Sequence, residues 1–569
     1  MEDIKKVILE TLEYEAMNNG HVYLRKNDLY KKLQYKGFNT KRSYYLNVLN
    51  ILERENEIQI KDNDKVYAYK LYHTERKLAD NIKYILKYSK NDIDDYDLEE
   101  KINDHIYNEE IRRSIKLNRD QEEAIKSSIL NPLTIINSAP GTGKYLIIDM
   151  LCSIYKKYQP YNQIYLTAFQ GKTANKLERL TGLNGCTIHK LLSSADYDHR
   201  NLLLDEGILI IDEFNMCDVR LADVIFNAVG LYYKVVLIGD INQLPSIQAG
   251  KVFKDLIDSK IIPSINLSKL YYNKESSILD CANRIQLGQI PLLSSKKDMS
   301  FYEVNNGNEA LETTLEIIRD NFEFEDVLSY QILSPRNIGS VCLDKLNYII
   351  RDIVNPISNQ AYEYYTLRYN DKVMLLKTDY DRGIYNGEIG LITKITNDYF
   401  CVKFVGRNVE LKFLKSDADK FTLAYATTIY KSLGNIYPKV IMVLPSSLTR
   451  NVLYTGVISA TEELHLVSNH EVIKESVENN MLDYRNSDLI TELIRRNNKV
   501  GLGSKFTIKD LELKNNSTYQ LVKDPEEDLD NNKVTLDTPI GRAAFNRKKG
   551  DIIEIYMRNI VKYRIVDIT

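Results

Sequence analysis

The residue types with the clearest chemical use lie in Ser138-Ala-Pro-Gly-Thr-Gly-Lys144-Tyr145. An apolar run, Leu133 to Ile136, comes before them, and a helix-like apolar segment follows. Strand, small-residue loop, lysine and helix make the layout of a phosphate-binding loop. Successive backbone N–H groups curl around an anion, the helix N-terminus adds partial positive charge, and the lysine adds a full one. The usual pattern of such a loop is G-x-x-x-x-G-K-[ST]. Here Ser138 replaces the first glycine and Tyr145 the final hydroxyl residue. That hydroxyl ordinarily ligates Mg2+, and a phenol on a long rigid arm cannot put its oxygen in the same place. The stretch predicts an ATP phosphate cradle at Pro140, Gly141, Thr142, Gly143, Lys144 and Tyr145, with Mg2+-supported hydrolysis in question. A glycine-rich turn that holds no ligand is the alternative.

Other groups could serve the same chemistry. Gly207 to Asp212-Glu213 is an apolar run ending in two carboxylates. In a P-loop enzyme this is where Mg2+ is held and the attacking water polarised. Val235 to Gly239 is another apolar run, followed by Asp240-Ile-Asn-Gln243, and such a Gln can sense a γ-phosphate. Asp212, Glu213 and Gln243 are therefore the candidate catalytic residues, with Asp212 the candidate metal ligand. Upstream lies Asn118-Arg-Asp-Gln121. A Gln at a helix start before a P-loop can read the adenine edge, as in helicases; the alternative is a surface Gln on an amphipathic helix.

These residues need a frame to hold them. Buried strands alternating with helices give a doubly wound parallel sheet with its site at the carboxyl ends. Residues 1 to about 110 are mostly helical by pattern, with Ile4, Val7, Ile8 and Leu12 on one face. Glu57 to Lys61, a turn at Asn63-Asp64, and Val66 to Leu71 read as a β-hairpin. Helices and then a hairpin suggest a winged-helix module, which could contact nucleic acid or dock a protein. Residues 471–500 read as a linker or a pair of spacer helices, broken at Asn479-Asn480 and Asn497-Asn498. The last seventy residues or so read as short strands with turns and one helix.

Composition sets outer limits. A chain of 569 residues should hold several domains. Charged residues are 27% and net charge is −3, so a DNA contact must come from a local groove, not a global basic field. No apolar run reaches membrane-span length and no signal-peptide pattern is read at the start. The six Cys are scattered without a C-x-x-C pair, as in a protein kept reduced. A cytoplasmic protein without a membrane partner is expected.

Motif order makes the comparison specific. Gln121, SAPGTGK, TANKLERLTG, TIHKLL, LIIDE and LIGDINQLPSI follow one another, then Ile332 to Pro335, Ala424 to Ala426, Lys431-Ser432 and Leu453 to Thr455. The series resembles the RecD-like branch of superfamily 1 helicases over roughly residues 1–470. The resemblance implies an α/β fold of two RecA-like lobes, ATP in the cleft between them, and a small β-barrel inserted in the second lobe. It also implies DNA binding across both lobes, with Lys172, Thr173, His189, Lys431 and Ser432 in the matching motifs. Lys172 could instead be a solvated helix lysine, and His189 a buried capping histidine. The segment between His189 and Asp212 looks short for the strand-separating hairpin that the family carries there.

Departures from the family fall on the same cleft. Tyr145 stands for Thr, Asp212-Glu213-Phe214-Asn215 for DEAS, Tyr271-Tyr272-Asn273 for Phe-Arg-Gln, and Ile458-Ser459-Ala460 for TRA. Tyr430 to Ile436 differs from HKSQGSE. Two of these sites place arginines on the γ-phosphate in the family, and such arginines are worth about 10³–10⁵ in rate. Neither Asn273 nor Ser459 carries charge, and Lys274 is one position off and lacks the planar fork.

The tail YQLVKDPEEDLDNNKVTLDTPIGRAAFNRKKGDIIEI resembles the C-terminal domain of Gre transcript-cleavage factors over about 510–569. That implies a Gre/FKBP-like α+β domain docking at the rim of the RNA polymerase secondary channel, with Asp537 and Pro539 in the contacting loop. An inert or rewired domain is the alternative. No long heptad hairpin precedes residue 510, so tethering is expected in place of transcript cleavage.

The expected division is 1–115 winged-helix-like, 116–265 first lobe, 266–366 and 416–470 second lobe, 367–415 inserted barrel, 471–504 linker helices and 505–569 Gre-like domain. The expected function is a helicase-shaped protein that binds nucleotide and single-stranded or duplex DNA, with hydrolysis impaired, tethered to RNA polymerase. An active helicase recruited to transcription and a non-enzymatic scaffold partnering a competent enzyme are the alternatives.

Overall fold

The computed structural model describes the chain except residues 1, 39, 90–96, 195–206, 230–232, 270–275, 294–297, 322–326, 336, 339–340, 357–366, 380–381, 408, 496–499, 523–526, 546, 557–559 and 569. The stretch holding Asn273 and Lys274, and much of the His189–Asp212 segment, thus lie outside the described residues.

Two parallel sheets organise the chain. In the first lobe six strands run in the order Gly185–Thr187, Gln163–Ala168, Gly207–Asp212, Tyr233–Gly239, Leu133–Ser138, Ser264–Leu267. Every pairing among them is parallel. The central strands Gly207–Asp212 and Tyr233–Gly239 are buried at every position, which is why they read as unbroken apolar runs. The strand Ser264–Leu267 pairs with Ile135–Ser138, so the expected boundary at 265 falls inside a first-lobe strand. The second lobe has five parallel strands, in the order Met299–Glu303, Ala460–Ser468, Tyr437–Val443, Tyr330–Ser334, Ala426–Thr428.

Before the first lobe the described residues form five helices; the first three, Glu2–Asn18, Lys26–Tyr35 and Arg42–Arg54, and a three-stranded sheet make the winged-helix-like region. Its hairpin, Ile58–Lys61 with Lys65–Ala68, turns on Asp62 and Asn63, whose φ are 51° and 55°. The turn thus starts one residue earlier than the sequence suggested; Asp and Asn tolerate the left-handed region. The insert in the second lobe is an antiparallel meander: Glu410–Leu414, Tyr399–Phe404, Ile389–Ile395, Lys372–Leu375, Phe421–Leu423. Phe421–Leu423 pairs with Val373–Leu375, so the sheet extends past residue 415. The C-terminal sheet has the order Lys533–Val534, Asn516–Leu521, Lys505–Asp510, Ile560–Ile568, Ile552–Tyr556, with one α-helix among the described residues, Pro539–Ala544. Between strands, Leu529–Asn531 forms a short 3-10 turn.

Residues 471–495 are not a free linker. Helices His470–Glu478, Met481–Tyr484 and Leu489–Ile494 run back across the molecule. Asp488 accepts hydrogen bonds from Lys61 and from Lys65 (2.9 Å), both on the hairpin. Lys61 also donates to Glu492 at 2.6 Å. Arg485, 3% exposed, donates to the Ser246 carbonyl at 2.6 Å and the Gly250 carbonyl at 2.8 Å in the first lobe. This strap ties the winged-helix-like region to the first lobe.

Burial raises the Asp488 pKa, but bonds from Lys61 and Lys65 outweigh it and hold the carboxyl below its ordinary value. The pair's stabilisation is therefore present above the ordinary aspartate range and fades as pH falls through the depressed folded-state value. Asp488→Ala should cost about 2 kcal/mol at neutral pH. In urea unfolding followed at the first lobe, that loss should shrink in acid.

Candidate nucleotide site between the two lobes

The loop after Leu133–Ser138 turns through Gly141 and Gly143, whose φ are 82° and 89°, a region costly for side-chain-bearing residues. A Cβ on Gly143 would stand 2.5 Å from Gln121 Nε2. Thr142 locks the loop from within, its hydroxyl donating to the Ala139 carbonyl at 2.7 Å. Lys144 opens the helix Lys144–Tyr158.

Gln121 does not face the cleft. It is 1% exposed. Its Oε1 accepts from Asn118 N at 3.1 Å and its Nε2 donates to the Thr142 carbonyl at 2.9 Å. It caps its own helix and holds the loop from behind, so the structure gives it a scaffolding contact where an adenine contact was expected.

Lys144 Nζ donates to Asp212 Oδ1 at 2.8 Å, and Asp212 is fully buried. Burial alone would pull the Lys144 pKa down, but the charge of Asp212 outweighs it and holds it above the ordinary value. Glu213 sits at φ 61°. Its Oε1 accepts from Thr173 Oγ1 at 2.9 Å. Asp212 Oδ2 and Glu213 Oε2 are buried without a hydrogen-bond partner among the described residues. Burial and the adjacent Asp212 push the Glu213 carboxyl up to about 7. Tyr145 lies beside these groups, with Lys144 Nζ 4.9 Å and Lys176 Nζ 3.9 Å from its ring centroid.

The second lobe closes the site into a cavity of about 380 Å3. From the first lobe it is lined by Pro140, Gly141, Gly143, Lys144, Tyr145, Lys176, Glu213 and Gln243, and from the second by Ser432 to Ile436, Thr455 and Ser459. Gln243 Nε2 donates to Asp240 Oδ2 at 3.3 Å, and Tyr454 of the second lobe donates to the same oxygen at 3.0 Å. Asn451 adds a bond to the Asn242 carbonyl at 3.1 Å. Ser459 is 4% exposed and its hydroxyl donates to the Gly456 carbonyl at 2.6 Å. The expected nucleotide and catalytic residues thus converge, apart from Gln121 behind the loop. Asp212 reaches the site through Lys144.

The expected DNA residues do not form one surface. Thr173 is turned onto Glu213, and Ser432, 2% exposed, donates to the Ile429 carbonyl at 2.8 Å and lines the nucleotide cavity. Lys172 donates to the Gly387 carbonyl of the insert and to Asn435 Oδ1 at 3.0 Å. Burial draws its pKa down to about 8. His189 is exposed, edge-on to Phe169. Lys431 is exposed and borders a separate second-lobe cavity of about 640 Å3 with Ser334 and Thr428. At the far end of the chain Asp537 and Pro539 are exposed beside Thr538, which caps the helix Pro539–Ala544.

The site as built suits phosphate better than magnesium. Residue 145 offers a phenol in place of an aliphatic hydroxyl, one Asp212 oxygen is paired with Lys144, and Lys176 brings a second ammonium.

Known proteins carry the same parts. Residues 116–306 match an AAA domain family, 346–404 the SH3 domain of ATP-dependent RecD-like DNA helicases, and 495–569 the C-terminal domain of transcription elongation factors GreA/GreB. This chain joins RecD-like helicase domains to a C-terminal Gre domain. The ATP-dependent RecD2 DNA helicase of Deinococcus radiodurans is 27% identical over 357 residues, covering 61% of this chain and 48% of that protein, about half its length. The RecBCD enzyme subunit RecD of Buchnera aphidicola subsp. Schizaphis graminum is 24% identical over 504 residues, covering 73% of this chain and 82% of that one. A crystal structure of Pif1 helicase from Candida albicans aligns over 63% of this chain and 97% of its own at 16% identity, with a TM-score of 0.44. No helix of the described residues is long and apolar enough to cross a membrane.

Lys176 and Asp240 lie inside sequence motifs that mark no role for either. The signal for Lys176 was its spacing, four residues after Lys172 on one helix face.

The raised Glu213 pKa makes this carboxylate a cost that grows as pH rises from the ordinary glutamate range to about 7. Glu213→Gln keeps the acceptor for Thr173 and removes the charge. Its unfolding midpoint should exceed that of the parent at pH 8 and match it near the ordinary glutamate pKa.

Proposed function

We propose that this chain is a RecD-like helicase body that binds nucleotide and DNA, is impaired in ATP hydrolysis, and is tethered to RNA polymerase by its Gre domain. The observation that carries the reading is that, among the described residues, the second lobe lines the cavity with no charged side chain. Ser459 stands where the family resemblance implies an arginine, and its hydroxyl is spent on Gly456. Tyr145 stands where it implies a metal-ligating hydroxyl. Loss of one such arginine is worth about 10³–10⁵ in rate.

On this reading the loop from Pro140 to Lys144 cradles phosphates, with backbone N–H groups and the Lys144 ammonium aimed at the anion. Asp212 keeps Lys144 charged and aimed. Gln243, beside Asp240 and Tyr454, stands at the junction where nucleotide occupancy would be felt by both lobes. Glu213 is the acceptor for a water proton where hydrolysis survives. DNA would run past His189 and Lys431, with Lys172 released from the insert. Exposed Asp537 and Pro539 would meet the rim of the polymerase secondary channel, in a cytoplasmic setting.

A second reading, an active ATP-dependent DNA helicase recruited to transcription, is favoured by the retention of Lys144, Asp212, Glu213 and Gln243. Turnover separates the two. With single-stranded DNA and Mg2+, kcat should fall at least about 10³-fold below the 1–10³ s⁻¹ common among enzymes. A kcat within that range, abolished by Lys144→Ala, would establish the second reading instead. For the tether, full-length protein should recover RNA polymerase in a pull-down and Asp537→Arg should recover much less. Equal recovery would remove Asp537 from the contact.

A further inference from the structure

The helix Gly171–Thr181 carries Lys172, Lys176 and Arg179 at spacings of four and three, which places them on one face. Two of the three are spent on the insert. Lys172 donates to Gly387, and Arg179 donates to the Gly406 carbonyl at 2.7 Å. The helix is clasped closely there: a Cβ on Gly171 would stand 2.0 Å from the Tyr385 ring.

Lys176 differs from both. Among the described residues it makes no ion pair or hydrogen bond. Its ammonium lies 3.9 Å from the Tyr145 ring centroid. It lines the P-loop cavity and also a neighbouring cavity of about 300 Å3. A cation over an aromatic face is held by the ring quadrupole without being neutralised. Lys176 is therefore held in place over the ring, while burial and the nearby Lys144 charge draw its pKa below the ordinary lysine value.

Lys144 lies 4.9 Å from the same ring and is paired with Asp212. The cavity thus presents two ammonium groups at the place where a hydroxyl-ligated divalent ion is expected. Mg2+ demands near-octahedral oxygen ligation and keeps several waters. An aromatic ring and a second ammonium supply no ligand in place of the missing hydroxyl. They do supply what the metal otherwise contributes to phosphate binding, which is positive charge.

We propose that Lys176, seated on Tyr145, takes the counter-charge role of the metal, so that this loop binds a nucleoside triphosphate without a divalent cation. The proposal rests on the reading of the cleft as a nucleotide site. It also gives Tyr145 a positive role: the ring that removes the metal ligand holds the replacement charge in place.

The test is calorimetric titration of the full-length protein with ATP, in EDTA and in excess Mg2+. Affinity in the two buffers should agree within about threefold, and Lys176→Gln should weaken binding in EDTA by about tenfold or more. Lys176→Arg, which keeps the charge and ring contact, should restore much of it. Tyr145→Thr should make binding tighten when Mg2+ is added. An unchanged thermal midpoint for Lys176→Gln separates lost charge from lost folding. Binding that needs Mg2+, or that ignores Lys176→Gln, would overturn the proposal and leave the nucleotide reading standing. Absence of ATP binding in both buffers would overturn the nucleotide reading, and the proposal with it.

Discussion

The ion pair between Lys144 and Asp212 is the interaction on which the cleft depends. It joins the helix after the phosphate loop to the end of a fully buried strand. A buried charge left alone would cost several kcal/mol, so each partner requires the other. Around it Glu213 is drawn in beside Asp212 and shares a bond with Thr173, while Tyr145 and Lys176 close the open side. The second lobe then seals the arrangement through Tyr454, Asn451 and Gly434. A Cβ on Gly434 would stand 2.9 Å from Glu213 Oε1.

That closure has consequences beyond the cleft. The helix Gly171–Thr181 touches the cavity between the lobes with Lys176 and the insert with Lys172 and Arg179. Asn435, which lines the cavity, also accepts a bond from Lys172. A change at the phosphate loop therefore meets the insert across a single helix. In this arrangement the cleft is closed and Lys172 is engaged by Gly387 and Asn435. The strap of residues 471–495 holds the winged-helix-like region to the same lobe, so the first lobe is gripped on two sides.

Much of this was legible in the sequence for a plain reason. Gly207–Asp212 and Tyr233–Gly239 are buried on both faces, so their apolar runs are continuous and end where the polar site begins. The phosphate loop announced itself by glycine spacing, and the two lobes by motif order. What stayed hidden were polar groups whose partners are distant in sequence. Gln121 looked like a ligand-reading side chain because its bond to Thr142 depends on tertiary packing. Residues 471–495 looked like a linker because Arg485, Asp488 and Glu492 are polar. Their partners include Lys61, 427 residues from Asp488. Boundaries at 265 and 415 slipped because sheets recruit a further strand regardless of where a composition shift falls.

On the proposed reading a motor's frame persists, Lys176 seated on Tyr145 supplies the charge of the metal, and the arginines on the terminal phosphate are missing. The most direct measurement is a crystal structure of the full-length protein grown with ATP and Mn2+, read by anomalous scattering. The account predicts a triphosphate on the loop from Pro140 to Lys144, Lys176 against it, and no manganese peak beside Asp212. A manganese peak bridging the phosphates to Asp212, with basic side chains of both lobes on the γ-phosphate, would contradict it.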